Sequence, residues 1–319
     1  MKRWLRHGVM LLACANAALA QTYPNRPIEL VSPTGAGGGS DLVARAVADI
    51  VAREKLLPQP LVIQNRAGGG GAVGQVYAAG KKADPYVLLL AGTSLLTVPV
   101  RTGMDAGLDK FQALGMIGID ANSLVVREDS PYRTVKELVA AARANPKSIN
   151  VAITFPGGTA HSMIYRLEQL TGARFNTVSF KSGADAVTAV LGGHVHATAE
   201  NLGEVIAQVE ARKLRLLGVP TARRIATLAD VATLKEQGYD VQSGAFRGFV
   251  APAGIPKEAV ALLEEAFAKV HKHPAWKDFM AKNRYEDVYM NAEEFGRYLA
   301  ARQTEFRAFL TEMGLALKP

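Results

Sequence analysis

Residues 28–50 read IELVSPTGAGGGSDLVARAVADI: an apolar β-type run, a stretch of small residues, then an amphipathic segment. A strand that passes through glycines straight into a helix is the building unit of an α/β protein. The junction recurs. It stands at Thr34-Gly35-Ala36-Gly37-Gly38-Gly39-Ser40, at Asn65-Arg66-Ala67-Gly68-Gly69-Gly70-Gly71, at Pro156-Gly157-Gly158-Thr159 and at Lys181-Ser182-Gly183-Ala184. Each turns the open amides and positive dipole end of a helix towards a place where a small anion can accept hydrogen bonds, and the missing Cβ atoms let it approach the backbone.

On either side of this stretch, β-rich runs alternate with amphipathic stretches along the chain, which predicts mainly parallel sheets flanked by helices. Strands are expected at 28–32, 61–64, 87–90, 124–126, 149–153, 177–180, 195–199, 214–219 and 248–251. Helix starts are legible between them: Thr134 with Glu137 and Asn291 with Glu294 have capping-box spacing, and Pro256 opens a helix at its first turn. Polar, irregular segments near 120–123 and 242–247 are candidate crossovers between lobes.

Composition narrows the class. With 319 residues, 49% hydrophobic and 21% charged, and a single cysteine, the chain can bury full cores and is neither disordered nor disulfide-stapled. At roughly 150 residues per domain its length suits about two domains. Lys2, Arg3 and Arg6, an apolar stretch over 8–18 and the small-residue site Ala18-Leu19-Ala20 predict an export signal cleaved after Ala20. A lipoprotein reading at Cys14 is disfavoured, because only six residues separate it from His7. Without that leader the balance is 34 basic to 29 acidic residues, a mild excess suited to a small anion. Neither a Lys/Arg run nor a basic-aromatic stripe supports nucleic-acid binding, and a mature chain without cysteine excludes a thiolate nucleophile, a Cys zinc site and a disulfide.

Enzyme readings find little support. Gly69-Gly70-Gly71-Ala72-Val73-Gly74 satisfies the dinucleotide pattern, but the next strand runs into Ala91-Gly92-Thr93-Ser94 without the acid that would hold a ribose. There is no G-x-S-x-G elbow, and His194-x-His196 lacks a third metal ligand nearby, so no cofactor and no metal is expected. His161, just after Gly157-Gly158-Thr159, reads as a hydrogen-bonding prop rather than a base. Asn201 and Glu204 follow the strand at 195–199, at the end where α/β sheets bind ligands. Arg247 has two readings: a bidentate grip on a carboxylate, or a structural salt bridge.

The landmarks Tyr23-Pro24-Asn25-Arg26-Pro27, Gly37-Gly38-Gly39-Ser40-Asp41, Asn65-Arg66-Ala67-Gly68-Gly69, Gly157-Gly158-Thr159-Ala160-His161, Gly192-Gly193-His194-Val195, Arg212-Lys213-Leu214-Arg215 and Ala251-Pro252-Ala253-Gly254-Ile255-Pro256 follow one another over nearly the whole mature chain. In that order they resemble the substrate-binding proteins of tripartite tricarboxylate transporters, the Bug receptors. The 184–204 stretch and Arg247-Gly248 are most similar to the tricarboxylate branch. The resemblance implies a two-lobed periplasmic-binding-protein fold: leader 1–20, one lobe from 21–121 plus 243–319, the other from 122–242. It implies a monomeric periplasmic receptor without catalysis that closes on a tricarboxylate or dicarboxylate and delivers it to a membrane permease. Carried over by position, the ligand would meet Thr34, Gly35, Ala36, Gly37, Thr93 and Ser94 on one lobe and Gly158, Thr159, Ser182, Gly183 and Asn201 on the other, with Arg247 supplying charge. Thr34-Gly35-Ala36 stands where many members have an aromatic and two prolines, so that loop is more polar and looser and its loss of bulk admits a larger or aromatic dicarboxylate; His196 stands where many have Asp. The alternatives are a sensory receptor that presents its ligand to a signalling kinase, and an exported enzyme on the same architecture, for which no nucleophile and base pair is legible.

Overall fold

The computed structural model describes residues 23–37, 39–154, 156–180 and 182–317. The expected leader at 1–20, with Cys14, lies outside them. In chain order, β1 (Ile28–Ser32), α1 (Gly39–Arg53), β2 (Leu61–Asn65), α2 (Ala72–Ala79), β3 (Val87–Ala91) and α3 (Ser94–Thr102) alternate strictly before β4 (Phe111–Ala121). Then follow β5 (Leu124–Arg127), α4 (Val135–Ala144), β6 (Asn150–Ile153), α5 (Thr159–Thr171), β7 (Asn176–Ser179), α6 (Gly183–Leu191), β8 (Ala197–Thr198), α7 (Leu202–Glu210) and β9 (Leu214–Gly218). β10 (Gly244–Pro252) leads into α8 (Lys257–Lys272), α9 (Pro274–Lys282) and α10 (Ala292–Glu312).

The strands form two five-stranded sheets, ordered β2-β1-β3-β10-β4 and β7-β6-β8-β5-β9. Pairing is parallel for β1 with β2 and β3, and for β6 with β7 and β8; it is antiparallel wherever β10 or β5 takes part. The reason is connectivity. β4 carries the chain out of the first sheet and β10 brings it back beside β4, so these neighbours must run oppositely. Helices cover both faces of the first sheet, and β3 (VLLLA) is accordingly buried at every position. One of its cores joins Leu30, Leu88, Phe249 and Phe267; the other joins Val31, Leu89, Phe246 and Phe295. The second sheet is likewise packed on two sides, around Val126 and Leu167 and around Val125 and Val190.

Both capping boxes form, at Thr134–Glu137 and Asn291–Glu294. Pro256 is the N-cap of α8, one position ahead of the helix. Of the two polar segments, the first joins β4 to β5, whereas Gly244–Arg247 in the second are strand residues of β10. The crossings are tied to each other: Ser243 Oγ donates to Asn122 Oδ1 at 2.8 Å and to the Thr159 carbonyl at 2.9 Å. A further tie runs outside them, where Phe309 of α10 packs on His161 and Tyr165 of α5, and the Tyr165 hydroxyl donates to Glu312.

Candidate ligand cleft

A cavity of about 340 Å³ lies where strand ends of both sheets converge. The first sheet contributes Thr34 and Ser40 after β1, Thr93, Ser94 and Thr97 after β3, and Arg247 from β10; the second contributes Thr154, Gly158 and Thr159 after β6 and Glu200, Asn201 and Glu204 after β8. Carboxyl ends of strands in open α/β sheets are the expected place for a ligand. Gly71 also lines the cavity; its φ is +102°, and a Cβ there would approach Ser94 Oγ to 2.8 Å, so only glycine lets the two loops meet.

Seven of the expected residues therefore come together: Thr34, Thr93, Ser94, Gly158, Thr159, Asn201 and Arg247. Five do not line the cavity: Gly35, Ala36, Gly37, Ser182 and Gly183. The reason lies in the chain's own carboxylates. Asp41 in the first turn of α1 accepts from the Gly37 amide at 2.8 Å and from Asn65 at 2.8 Å. Hydrogen bonding from Arg45, then from Gly37 and Asn65, holds its carboxyl down at about 2. The anion that the Gly37 loop invites is thus already present. At α6 the Ser182 hydroxyl caps the helix by accepting from the Asp185 amide at 3.2 Å, and a Cβ on Gly183 would run into the Glu204 carboxylate. The starts of α3 and α5 differ: neither Thr93 nor Gly158 makes a side-chain cap, and both ends face the cleft.

Arg247 takes its structural reading while lining the cleft. Its Nη2 lies 2.6 Å from Asp120 Oδ2, and both residues are buried. Asn201 Nδ2 donates to the same oxygen at 2.8 Å, and Asn201 Oδ1 accepts from Asn122 at 3.0 Å, so both ends of that amide are engaged in the scaffold. Burial pushes the Asp120 carboxyl up, and Arg247 and Asn201 oppose it. On the second-sheet side, burial raises Glu200; it also pushes Glu204, helped by the charges of Glu200 and Asp120, up to about 7. The cleft also gathers buried polar atoms without partners, Thr93 Oγ1, Thr97 Oγ1, Glu200 Oε1 and Arg247 Nε, while hydrogen bonds from Thr154 and Glu204 reach the Glu200 carboxyl. Such atoms are costly unless a ligand or water completes them.

His161 does act as a prop: its Nδ1 accepts from the Gly157 amide at 3.0 Å, and burial lowers its pKa. His196 Nδ1 accepts from the Asn150 amide at 3.0 Å. Thr97, Thr154 and Glu200 are cleft residues that the sequence did not single out, although signals pointed at Thr97 and Glu200. Thr97 is one helical turn beyond Thr93, on the same face, and Glu200 directly follows the strand end that drew attention to Asn201.

The sequence profile described as "Tripartite tricarboxylate transporter family receptor" matches residues 43–315. The chain belongs to this family. Its members are periplasmic binding receptors, not enzymes. Among its relatives is a UPF0065 protein from the gbd 5' region of Cupriavidus necator, 31% identical, with 96% of this chain and 93% of the relative aligned. A TctC solute binding protein from Polaromonas, solved without ligand, superposes with a TM-score of 0.80 at 33% identity, covering 91% of this chain and 100% of that one. An R. palustris protein solved with adipate gives 0.79 at 25% identity, covering 92% and 99%.

Proposed function

We propose that this TctC-family chain is the exported receptor of a tripartite transporter, which captures a small organic carboxylate between its lobes and delivers it to the membrane permease. The observation that carries the reading is the pair of uncapped helix starts, at Thr93–Ser94 and Gly158–Thr159, facing one cavity from opposite sheets. The start of α5 presents first-turn amides and the Thr159 hydroxyl, whereas at α3 the Leu95 and Leu96 amides already donate to the Gly92 and Thr93 carbonyls, so that side offers the Thr93 and Ser94 hydroxyls; amides and hydroxyls are the donors a carboxylate accepts. The family, and adipate in a relative 25% identical, support a carboxylate as the ligand. With lobes at 21–121 plus 243–319 and 122–242, closure turns about the Asn122–Ser243 crossings. A ligand that reaches both helix starts only in the closed form shifts the population towards it.

Titration calorimetry on residues 21–319, refolded to strip carried-over ligand, tests this against tricarboxylates, aliphatic and aromatic dicarboxylates and monocarboxylates. One acid is expected to bind at micromolar affinity or better without turnover. Replacing Thr93 and Thr159 together by Ala is expected to weaken it more than tenfold, at about 1 kcal/mol for each hydroxyl. Silence across all acids overturns the reading.

A further inference from the structure

The charge lining the cleft is one-sided. Among its described lining residues only Glu200, Glu204 and Arg247 are ionisable, and the Arg247 guanidinium is already met by Asp120 at 2.6 Å. What remains is a pair of carboxyl groups on the second-sheet wall, at the end of β8 and in the first turn of α7. Glu200 is 6% exposed and its Oε1 has no partner. Independently, Thr97 on the first-sheet side is 1% exposed with an unpartnered Oγ1, so each wall of the cavity has a buried polar atom that a ligand can meet. A polyanion would fit the helix starts with one carboxylate and then press a second against Glu200 and Glu204. Whatever negative charge the pair carries repels a second carboxylate in a partly desolvated site, whereas an ammonium there offers several donors and the opposite charge, which draws the protons off the pair.

We propose that the cleft selects a carboxylate that also carries a protonated nitrogen, its acid end against the starts of α3 and α5 and its nitrogen against Glu200 and Glu204. This rests on the carboxylate-receptor reading and narrows it: citrate-like polyanions are rejected, and the acid pair is the specificity determinant. Gly183 belongs to the same device, because its missing Cβ leaves room for the Glu204 carboxylate.

The test compares dicarboxylates of four to six carbons with their ω-amino monocarboxylate counterparts and their 2-amino derivatives, titrated into the mature chain at neutral pH. A nitrogen-bearing acid is expected to bind at least tenfold more tightly than its nitrogen-free partner. Glu200→Gln and Glu204→Gln are each expected to erase that preference, with unfolding midpoints monitored alongside. Gly183→Ala, which displaces the Glu204 carboxylate while keeping both acids in the chain, is expected to reduce it. Equal or tighter binding of the dicarboxylates overturns the proposal; if that binding takes up a proton, the pair is instead a shared acid that donates to a second carboxylate. A preference that survives both Gln variants overturns the assignment to the pair. If no member of either series binds, and no other carboxylate does, the receptor reading itself fails.

Discussion

The fate of single side chains in the cleft turns on which charges the chain has already neutralised for itself. Thr93, Ser94 and Thr159 were legible because a residue type and a strand-end position suffice to place them. Gly37 and Gly183 were not, because what fills their helix ends is Asp41 in one case and Glu204 in the other, and neither contact leaves a spacing pattern of its own. Arg247 shows the same limit more sharply. Its partner Asp120 lies 127 positions away, so the sequence held both readings open and only the fold selects between them. That pair is buried, and removing one member strands the other. Asp120→Asn is expected to destabilise the chain by about 3–5 kcal/mol, with Arg247→Met in the same chain restoring much of the loss. Denaturant unfolding of the single and double variants measures this. A loss below about 1 kcal/mol would mean that water or a neighbour compensates the guanidinium.

Among the elements, alternation and capping boxes made the strand-helix units readable, and every expected strand is present within a few residues of its place. β4 was not expected at all, and its glycines explain why. Gly115 and Gly118 weaken a strand signal, yet both stand where another segment crosses the sheet edge, and at Gly115 a Cβ would sit 3.2 Å from the Met290 carbonyl, tighter than ordinary contact. The bridges Met116–Met290 and Ile119–Glu286 occupy that space. β10 has a matching constraint, since a Cβ on Gly248 would lie 2.5 Å from the Phe295 ring and 2.9 Å from the Gly115 carbonyl. Phe295 is fully buried and Gly115 is backbone, so neither yields cheaply. Gly248→Ala is therefore expected to cost about 1–3 kcal/mol through overpacking, read as a lower denaturation midpoint with an unchanged slope. An unaltered midpoint would show that α10 shifts freely, contrary to its packing.

Across the whole molecule, the ionisable groups that burial disturbs divide by sign. Glu168, Glu200 and Glu286 are raised and Glu204 is pushed up to about 7, while His161 and His271 are lowered. A raised carboxyl holds its proton more tightly in the folded chain than in the unfolded one. Its stabilising share is complete below the unfolded value of about 4.3 and is lost as pH rises through the folded value. The lowered histidines run the other way: their share is present above about 6.5 and is lost as pH falls. The total pH profile mixes the two, but a difference between chains separates them. Relative to Glu204→Gln, the parent is expected to lose stability as pH rises from about 4.5 and to level off above about 7, because Gln stands in for the protonated acid throughout. Guanidinium unfolding of both chains across that interval, without ligand, gives the difference directly. A deficit that grows as pH falls would place Glu204 in an environment that favours its charge, and a flat difference would mean that burial leaves it unshifted; in either case the cleft would hold a permanent anion at neutral pH rather than a group that titrates there.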